Sequence, residues 1–366
     1  MLKKIKLQAS ELVVDEPLAW SIYDIEGKLL LSAGQIISSK EKLDSLCQHE
    51  LFRHETAGDT RTSLSPFEQL DGFAVELGRA FDELEAGNPD AKERLEHIAT
   101  GLAALCDAEP DALLGAVHVP NEMTASLFQP LQCAILCDLM IRHKDVTRDA
   151  RVSTVGAALT SNIALRGFYE QLQKQDTPIS ATQRRLIAQH PKKSTMLVSE
   201  VGIKDANWLK VILHHHELSD GSGYPANLKG EQIVLGAKAL AIAERYSIML
   251  SKNRKNEQLS INDALKTFFV EEGKKYDNNL SLQLVLALTV FPPGSFVRLA
   301  NGETAVVIRR VFEEPMKPQV KSITDAEGHL LEEYIERDSG DDEYEIKGVC
   351  RFENTASLDL NKLWGF

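Results

Sequence analysis

Cysteine is scarce in this chain, with five among 366 residues, an odd number that includes no C-x-x-C pair. Cys47, Cys106, Cys133, Cys137 and Cys350 are too scattered for a disulfide framework, which excludes a small secreted disulfide scaffold. Cys133 and Cys137 lie four apart in an apolar helical stretch, where buried thiols act as small hydrophobes. Long apolar runs are also missing. The longest, Leu284 to Val290, falls far short of the ~20 residues that span a bilayer. The N-terminal Met1-Leu2-Lys3-Lys4-Ile5-Lys6-Leu7 has no continuous apolar core of the kind a signal peptide needs. The sequence therefore predicts a soluble, cytoplasmic protein with no membrane span. Positive charge is in deficit, 41 Lys+Arg against 54 Asp+Glu, for a formal balance of −13. This argues against a nucleic acid polymer as partner, since no general cation excess exists to replace counterions. A local pocket for one small phosphate ligand is still allowed, because net charge governs solubility and encounter rather than one site.

Apolar residues at 43% and charged residues at 26% are ordinary globular values. At ~100–200 residues per domain the length implies two or three domains. Residues 1–54 read as a small β-rich module. Leu18 to Ile25, a turn at Glu26-Gly27 and Lys28-Leu29-Leu30-Leu31 predict a hairpin, and Ser38-x-x-Glu41 predicts a capped short helix. Residues 55–66 are polar and read as a linker. From 67 to 290 the periodicity is helical: Phe73, Leu77, Phe81 and Leu84 share one face, as do Leu95, Ile98, Leu102 and Leu105. Ser180-x-x-Gln183 caps a helix expected to stop near His190, because Pro191 follows. Residues 291–366 switch to period two, with Asn301-Gly302 and Glu327-Gly328 as hairpin turns. The expected fold is mainly α: a multi-helix domain flanked by small β-rich N-terminal and C-terminal modules.

The stretch that carries chemistry is Leu213-His214-His215-His216-Glu217-Leu218-Ser219-Asp220-Gly221-Ser222-Gly223-Tyr224-Pro225, which holds three of the ten histidines. On spacing alone it supports two readings. Adjacent helical side chains diverge by about 100°, so neighbouring His can flank a two-metal centre or grip one metal at a helix end. A His-rich helix end before a glycine turn is the plainer alternative, with imidazolium favoured by the C-terminal dipole.

His215-His216-Glu217 followed by Asp220-Gly221-Ser222-Gly223-Tyr224-Pro225, with Leu228, Gly230 and Ile233, resembles the signature of the HD-GYP family, bacterial phosphodiesterases that hydrolyse cyclic di-GMP. His190-Pro191 resembles the family's HP position, a metal ligand. The likeness runs from about Leu114 to Leu288 and implies an HD-type helical domain, with weaker likeness in the flanking modules. It also implies where this chain departs. The namesake HD pair falls on Ser161-Asn162, in place of a metal-binding His and a metal-bridging Asp, and Leu165 replaces a phosphate-contacting lysine. Gln129 stands for the family's first His, and Ala125 for a third-metal Glu. Downstream, Glu244 keeps one carboxylate and Ser247 loses another. Arg254, in Lys252-Asn253-Arg254-Lys255-Asn256, is the candidate phosphate contact.

Two-metal hydrolysis needs a bridging carboxylate and enough ligands to hold two cations about 3.5–4 Å apart. Asn162 supplies no charge, and Gln129 and Ser161 are poor substitutes for imidazole. The remnant His190, His215, His216 and Glu244 holds at most one divalent transition metal, of the iron or manganese class. By resemblance, the loop of Asp220, Gly221, Gly223, Tyr224 and Pro225 contacts nucleotide or diguanylate-cyclase-type partner domains. Three functions stay open: a catalytically degenerate cyclic di-GMP sensor or scaffold, which we favour; a residually active metal-dependent phosphodiesterase; and a helical interaction module without nucleotide.

Overall fold

The computed structural model divides into two compact units, residues 1–65 with residue 366, and residues 66–365. The residues described are 3–6, 22–24, 29–31, 37, 39, 42–43, 46, 51–55, 64–120, 123–142, 145–168, 175, 177–251, 259–268, 275–352 and 354–366. In the first unit, β1 (Lys3–Lys6), β2 (Ile22–Tyr23), β3 (Leu29–Leu31) and β4 (Phe52–Glu55) form a four-stranded sheet ordered β1-β4-β2-β3. The expected hairpin is the antiparallel pair β2 and β3, with Ile22 opposite Leu31. Ile22, Ile37 and Leu51 form its small core, with Leu30, Leu31, Leu43 and Leu46 packed against it. Ser38 and Glu41 lie outside the described residues, and Ser39 Oγ accepts from Lys42 N at 3.2 Å.

The second unit begins with α1 (Pro66–Glu85) and α2 (Asp90–Ala108), which pack on each other through the faces read from the sequence. Leu77, Phe81 and Leu84 are buried on one, and Leu95, Ile98 and Leu102 on the other. Gly101 admits the Phe73 ring, whose Cζ would lie 2.6 Å from a Cβ at that position. Next come α3 (Pro110–His118), α4 (Ala125–Ile141) and α5 (Arg148–Thr160). Every residue of α4 from Leu131 to Ile141 is buried, as expected of a central helix that is apolar all round. Cys133 and Cys137 are among them, and burial raises both thiols, so they are packing groups. Asp138 is the charged exception. It accepts from Arg151 Nε at 2.9 Å and Nη2 at 2.8 Å, which answers the cost of burying a carboxylate and ties α4 to α5.

The chain continues through α6 (Ala181–Glu200), α7 (Ala206–His214), α8 (Leu235–Leu250), α9 (Ile261–Thr267) and α10 (Asn278–Leu288). The capping box at α6 forms as expected, with Gln183 N on Ser180 Oγ and Ser180 N on Gln183 Oε1. The helix does not stop at His190, however; it runs on to Glu200 with Pro191 inside it. The proline is buried in the packed face, and its ring costs the helix one hydrogen bond without ending it.

After α10, β5 (Phe296–Leu299), β6 (Thr304–Arg309), β7 (Gln319–Thr324), β8 (Leu330–Asp338) and β9 (Ile346–Val349) form an antiparallel sheet ordered β8-β7-β6-β5-β9. Gly302 and Gly328 turn its hairpins at φ +93 and +91, conformations that favour glycine. One face buries Val297, Leu299, Ala305, Val307 and Val320, and the other buries Val306, Ile308, Ile323 and Leu363 of α11 (Leu360–Trp364). The sheet docks on α3: the Trp364 ring fills the place of a side chain at Gly115, and buried Arg310 pairs with Asp111. Together the observed elements make a mainly α fold with β modules at both ends of the chain. Among the described residues no helix is long and apolar enough to cross a membrane.

Candidate metal and ligand centre

Three histidines from two segments converge, His190 on α6 and His215-His216 at the end of α7, with one ring nitrogen of each within 4.8 Å of the others. Their orientation follows from backbone chemistry. Pro191 has no N–H to give to the carbonyl four residues back, Ile187. That freed carbonyl accepts from His190 Nδ1 at 2.6 Å. A helix terminus likewise leaves its last carbonyls unsatisfied, and His215 Nδ1 takes up Ile212 O at 2.6 Å. With both Nδ1 atoms donating, both Nε2 atoms carry lone pairs, and they face each other at 3.0 Å. Two such lone pairs repel unless a proton or a cation lies between them. Burial makes the proton costly, pushing His190 down to about 3 and His215 to about 4, with His216 also well below its ordinary value. Fixing Nδ1 on a carbonyl and freeing Nε2 is how proteins prepare metal-ligating histidines. The donor set fits a divalent cation.

Glu244 on α8 lies 4.0 Å from both His215 Nε2 and His216 Nε2. Burial raises its carboxyl to about 7, and the hydrogen bond from Asn162 opposes the rise. Asn162, just past α5, donates its amide to Glu244 Oε1 and, at 3.4 Å, to Ser161 Oγ. The position expected to hold a bridging carboxylate is therefore occupied by a donor that satisfies the remaining one. Ser161 turns back on its own helix, with Oγ donating to Ala158 O at 3.3 Å. Ser247 is buried against Cys133, Oγ to Sγ 3.6 Å, one turn along α8 from Glu244. Leu165 is buried.

Glu217, to which the sequence reading attached no role, builds the glycine loop. It is 1% exposed and accepts from Ala226 N at 2.5 Å and Leu228 N at 2.9 Å. Gly223 passes so close to the preceding turn that a Cβ would meet backbone atoms of Leu218, Glu217 and His216 at 2.3–2.5 Å. Asp220 Oδ1 accepts from Ser222 N and Oγ, and Gly221 follows it at φ +83. The loop delivers the Tyr224 ring onto His216, centroids 4.8 Å apart and planes inclined 22°. Tyr224 thus covers His216 of the histidine cluster.

Gln129, on α4, lines a cavity of about 320 Å³ that also includes Asn162. Phe81 of α1 and Arg166 line the same cavity, and neither was singled out for the site from the sequence. Arg254 lies outside the described residues. His118 is pinned in the fold between Tyr246 Oη and Pro293 O, at 3.0 and 2.9 Å.

An HD domain model matches residues 121–280. Over 249 residues the chain is 26% identical to a cyclic di-GMP phosphodiesterase of Pseudomonas aeruginosa, covering 67% of this chain and 57% of that protein. It is 22% identical over 248 residues to a cyclic di-GMP phosphodiesterase of Vibrio cholerae, covering 65% of this chain and 49% of that one. The chain thus spans about half the length of these curated relatives. Among solved structures, an HDG"Y"P protein from Bdellovibrio bacteriovorus shares the fold with TM-score 0.51 at 15% identity, over 77% of this chain and 98% of that one.

Proposed function

We propose that residues 121–280, which match an HD domain model, form an HD domain of the HD-GYP family, and that the protein works in cyclic di-GMP signalling as a binder of nucleotide or partner, without two-metal turnover. The observation that carries this reading is the Asn162 to Glu244 hydrogen bond. A two-metal centre needs negative charge on both sides of its nucleophile. Here one side is a neutral amide and the other is a single buried carboxylate that it satisfies.

A second reading rests on the paired Nδ1 bonds of His190 and His215. One divalent ion of the iron or manganese class would be held by His190, His215 and His216 with Glu244 beside them, and would supply Lewis-acid chemistry for residual phosphodiester cleavage. The chain's own residues would orient the imidazoles through Ile187 O and Ile212 O and shield His216 under Tyr224. In the favoured reading the outer edge of the same loop, at Asp220 and Ser222, is what meets a diguanylate-cyclase-type domain.

Metal content and cyclic di-GMP turnover measured on one preparation decide between them. Binding by calorimetry with at most one metal and no linearised product is the expected result. Two metal equivalents with turnover would overturn it, and one equivalent with slow turnover would favour the second reading. Absence of binding at millimolar nucleotide would leave a protein interaction module.

A further inference from the structure

Four of the twenty residues of α6 are buried, against eight of twenty in α1. Opposite the buried His190, Pro191, Ser194 and Val198, the exposed Arg185, Gln189, Lys192 and Met196 recur at i, i+4, i+7 and i+11 and so form one stripe. Arg184 and Lys193, also exposed, flank it. The helix has one carboxylate, Glu200, at its last residue. Among the described residues none of these four cations has a carboxylate within ion-pair distance. Elsewhere in the chain Arg94, Arg142, Arg151 and Arg310 are each paired. Met196 is 60% exposed, so the unmatched cations surround an apolar side chain.

The C-terminal sheet carries the opposite surface. Gln319 of β7 stands opposite Asp338 of β8, and Ser339 Oγ donates to Pro318 O at 2.6 Å, so the connections that end at β7 and leave β8 lie together. Residues 338–345 hold five carboxylates and no cation. Asp341 and Asp342 are exposed, as is Glu313 in the neighbouring connection, and among the described residues no cation pairs with them. Lys317 is already matched by Glu314 at 2.9 Å. Phe312 and Met316, 61% and 60% exposed, are the apolar side chains of this end.

We propose that α6 of one copy of the chain docks on this acidic end of the C-terminal sheet in a second copy. Arg185 and Lys192 stand over Asp341 and Asp342, and Met196 packs with Met316 and Phe312. Each copy has both surfaces, so the contact is made twice and closes a two-fold pair. Exposed ion pairs contribute little one by one; here they rim apolar side chains that association removes from water. General repulsion between two chains at −13 is screened beyond about 8 Å at physiological salt, which leaves the facing side chains to decide. Neither nucleotide nor metal takes part.

Sedimentation equilibrium of the full chain tests the pair at about 0.15 M and about 1 M salt, where screening sets in beyond about 8 and 3 Å. A dimer at the lower salt, weakened at least about tenfold at the higher, is expected. Arg185→Glu with Lys192→Glu should give a monomer, as should Asp341→Lys with Asp342→Lys, with circular dichroism melts to establish folding. Mixing these two variants should restore a dimer, because each then meets opposite charge at both contacts. Arg79→Glu with Lys266→Glu, an equal charge change at exposed cations of α1 and α9, should leave the dimer intact. Met196→Ser should weaken it about tenfold. If one double variant fails to fold, the other and Met196→Ser carry the test. A monomer at both salts, no restoration on mixing, or equal loss in the Arg79 and Lys266 control would overturn the proposal. Binding of a monomeric wild type to phosphatidylserine vesicles through α6 would also overturn it, and would assign the helix to an anionic membrane.

Discussion

Restoring the bridging carboxylate with Asn162→Asp probes the centre most directly, because its effect on stability should reverse with metal. In chelator the variant loses the Asn162 amide that donates to Glu244. A hydrogen bond to a charged group contributes about 1.5–3 kcal/mol. Direct repulsion between the two carboxylates is limited by proton uptake, since burial already raises Glu244 to about 7 and the pair can share a proton. A loss of about 2 kcal/mol follows, and at roughly 2–4 °C per kcal/mol the variant should melt ~4–8 °C below the wild type. Added manganese or iron reverses the sign. The new carboxylate joins the three imidazoles, and a ligand at about a hundred times its dissociation constant stabilises by about 2.7 kcal/mol. Differential scanning fluorimetry in chelator and in excess Mn²⁺, with elemental analysis of the washed protein, reads both halves. Equal melting of variant and wild type in chelator would refute the Asn162–Glu244 contact. A metal-induced rise no larger than the wild type's would refute the placement of the restored carboxylate beside the histidines.

Pro191→Ala should favour the helix intrinsically, by up to about 3 kcal/mol, while weakening metal binding roughly 10–100-fold. The new N–H competes with His190 Nδ1 for Ile187 O, and unchanged metal affinity in a manganese titration would contradict that origin of the ring's orientation. Gly223→Ala should destabilise by at least about 2 kcal/mol and expose 220–226 to limited proteolysis, because the added Cβ meets backbone on three sides. A protease-resistant loop with unchanged melting would count against it. Burial pushes His118 down to about 4, against about 6.5 in an unfolded chain. As pH falls, the unfolded chain takes the proton first, so the stabilisation is whole above about pH 6.5 and lost between about 6.5 and 4, by at most about 3 kcal/mol. In urea melts the gap between wild type and His118→Gln should narrow from about pH 7.5 to about 4.5; a constant gap would exclude the linkage.

Much of the fold was legible because it rests on local periodicity. Apolar spacing marked the α1 and α2 faces, and Asn301-Gly302 marked a hairpin whose φ requirement glycine meets. Pro191 misled because a proline's cost is local while the gain from burying it lies in tertiary packing, so α6 continued. His190, His215, His216 and Glu244 were marked by motif. That the two Nε2 lone pairs face each other was not, although Pro191's missing N–H already implied a free carbonyl at Ile187. The motif marked Tyr224 as part of a contact loop, and only the folded loop lays its ring on His216.

Which groups are available was settled by the residues themselves: three imidazoles, one carboxylate, and an amide where a second carboxylate was expected. Side-chain chemistry is a property of the residue and needs no fold to be read. What those groups face was settled only by packing. It turned Asn162 onto Glu244, and it brought Phe81 and Arg166 together from distant parts of the chain to wall the cavity that Gln129 lines. Such proximity depends on how helices pack, and no local pattern along the chain encodes it.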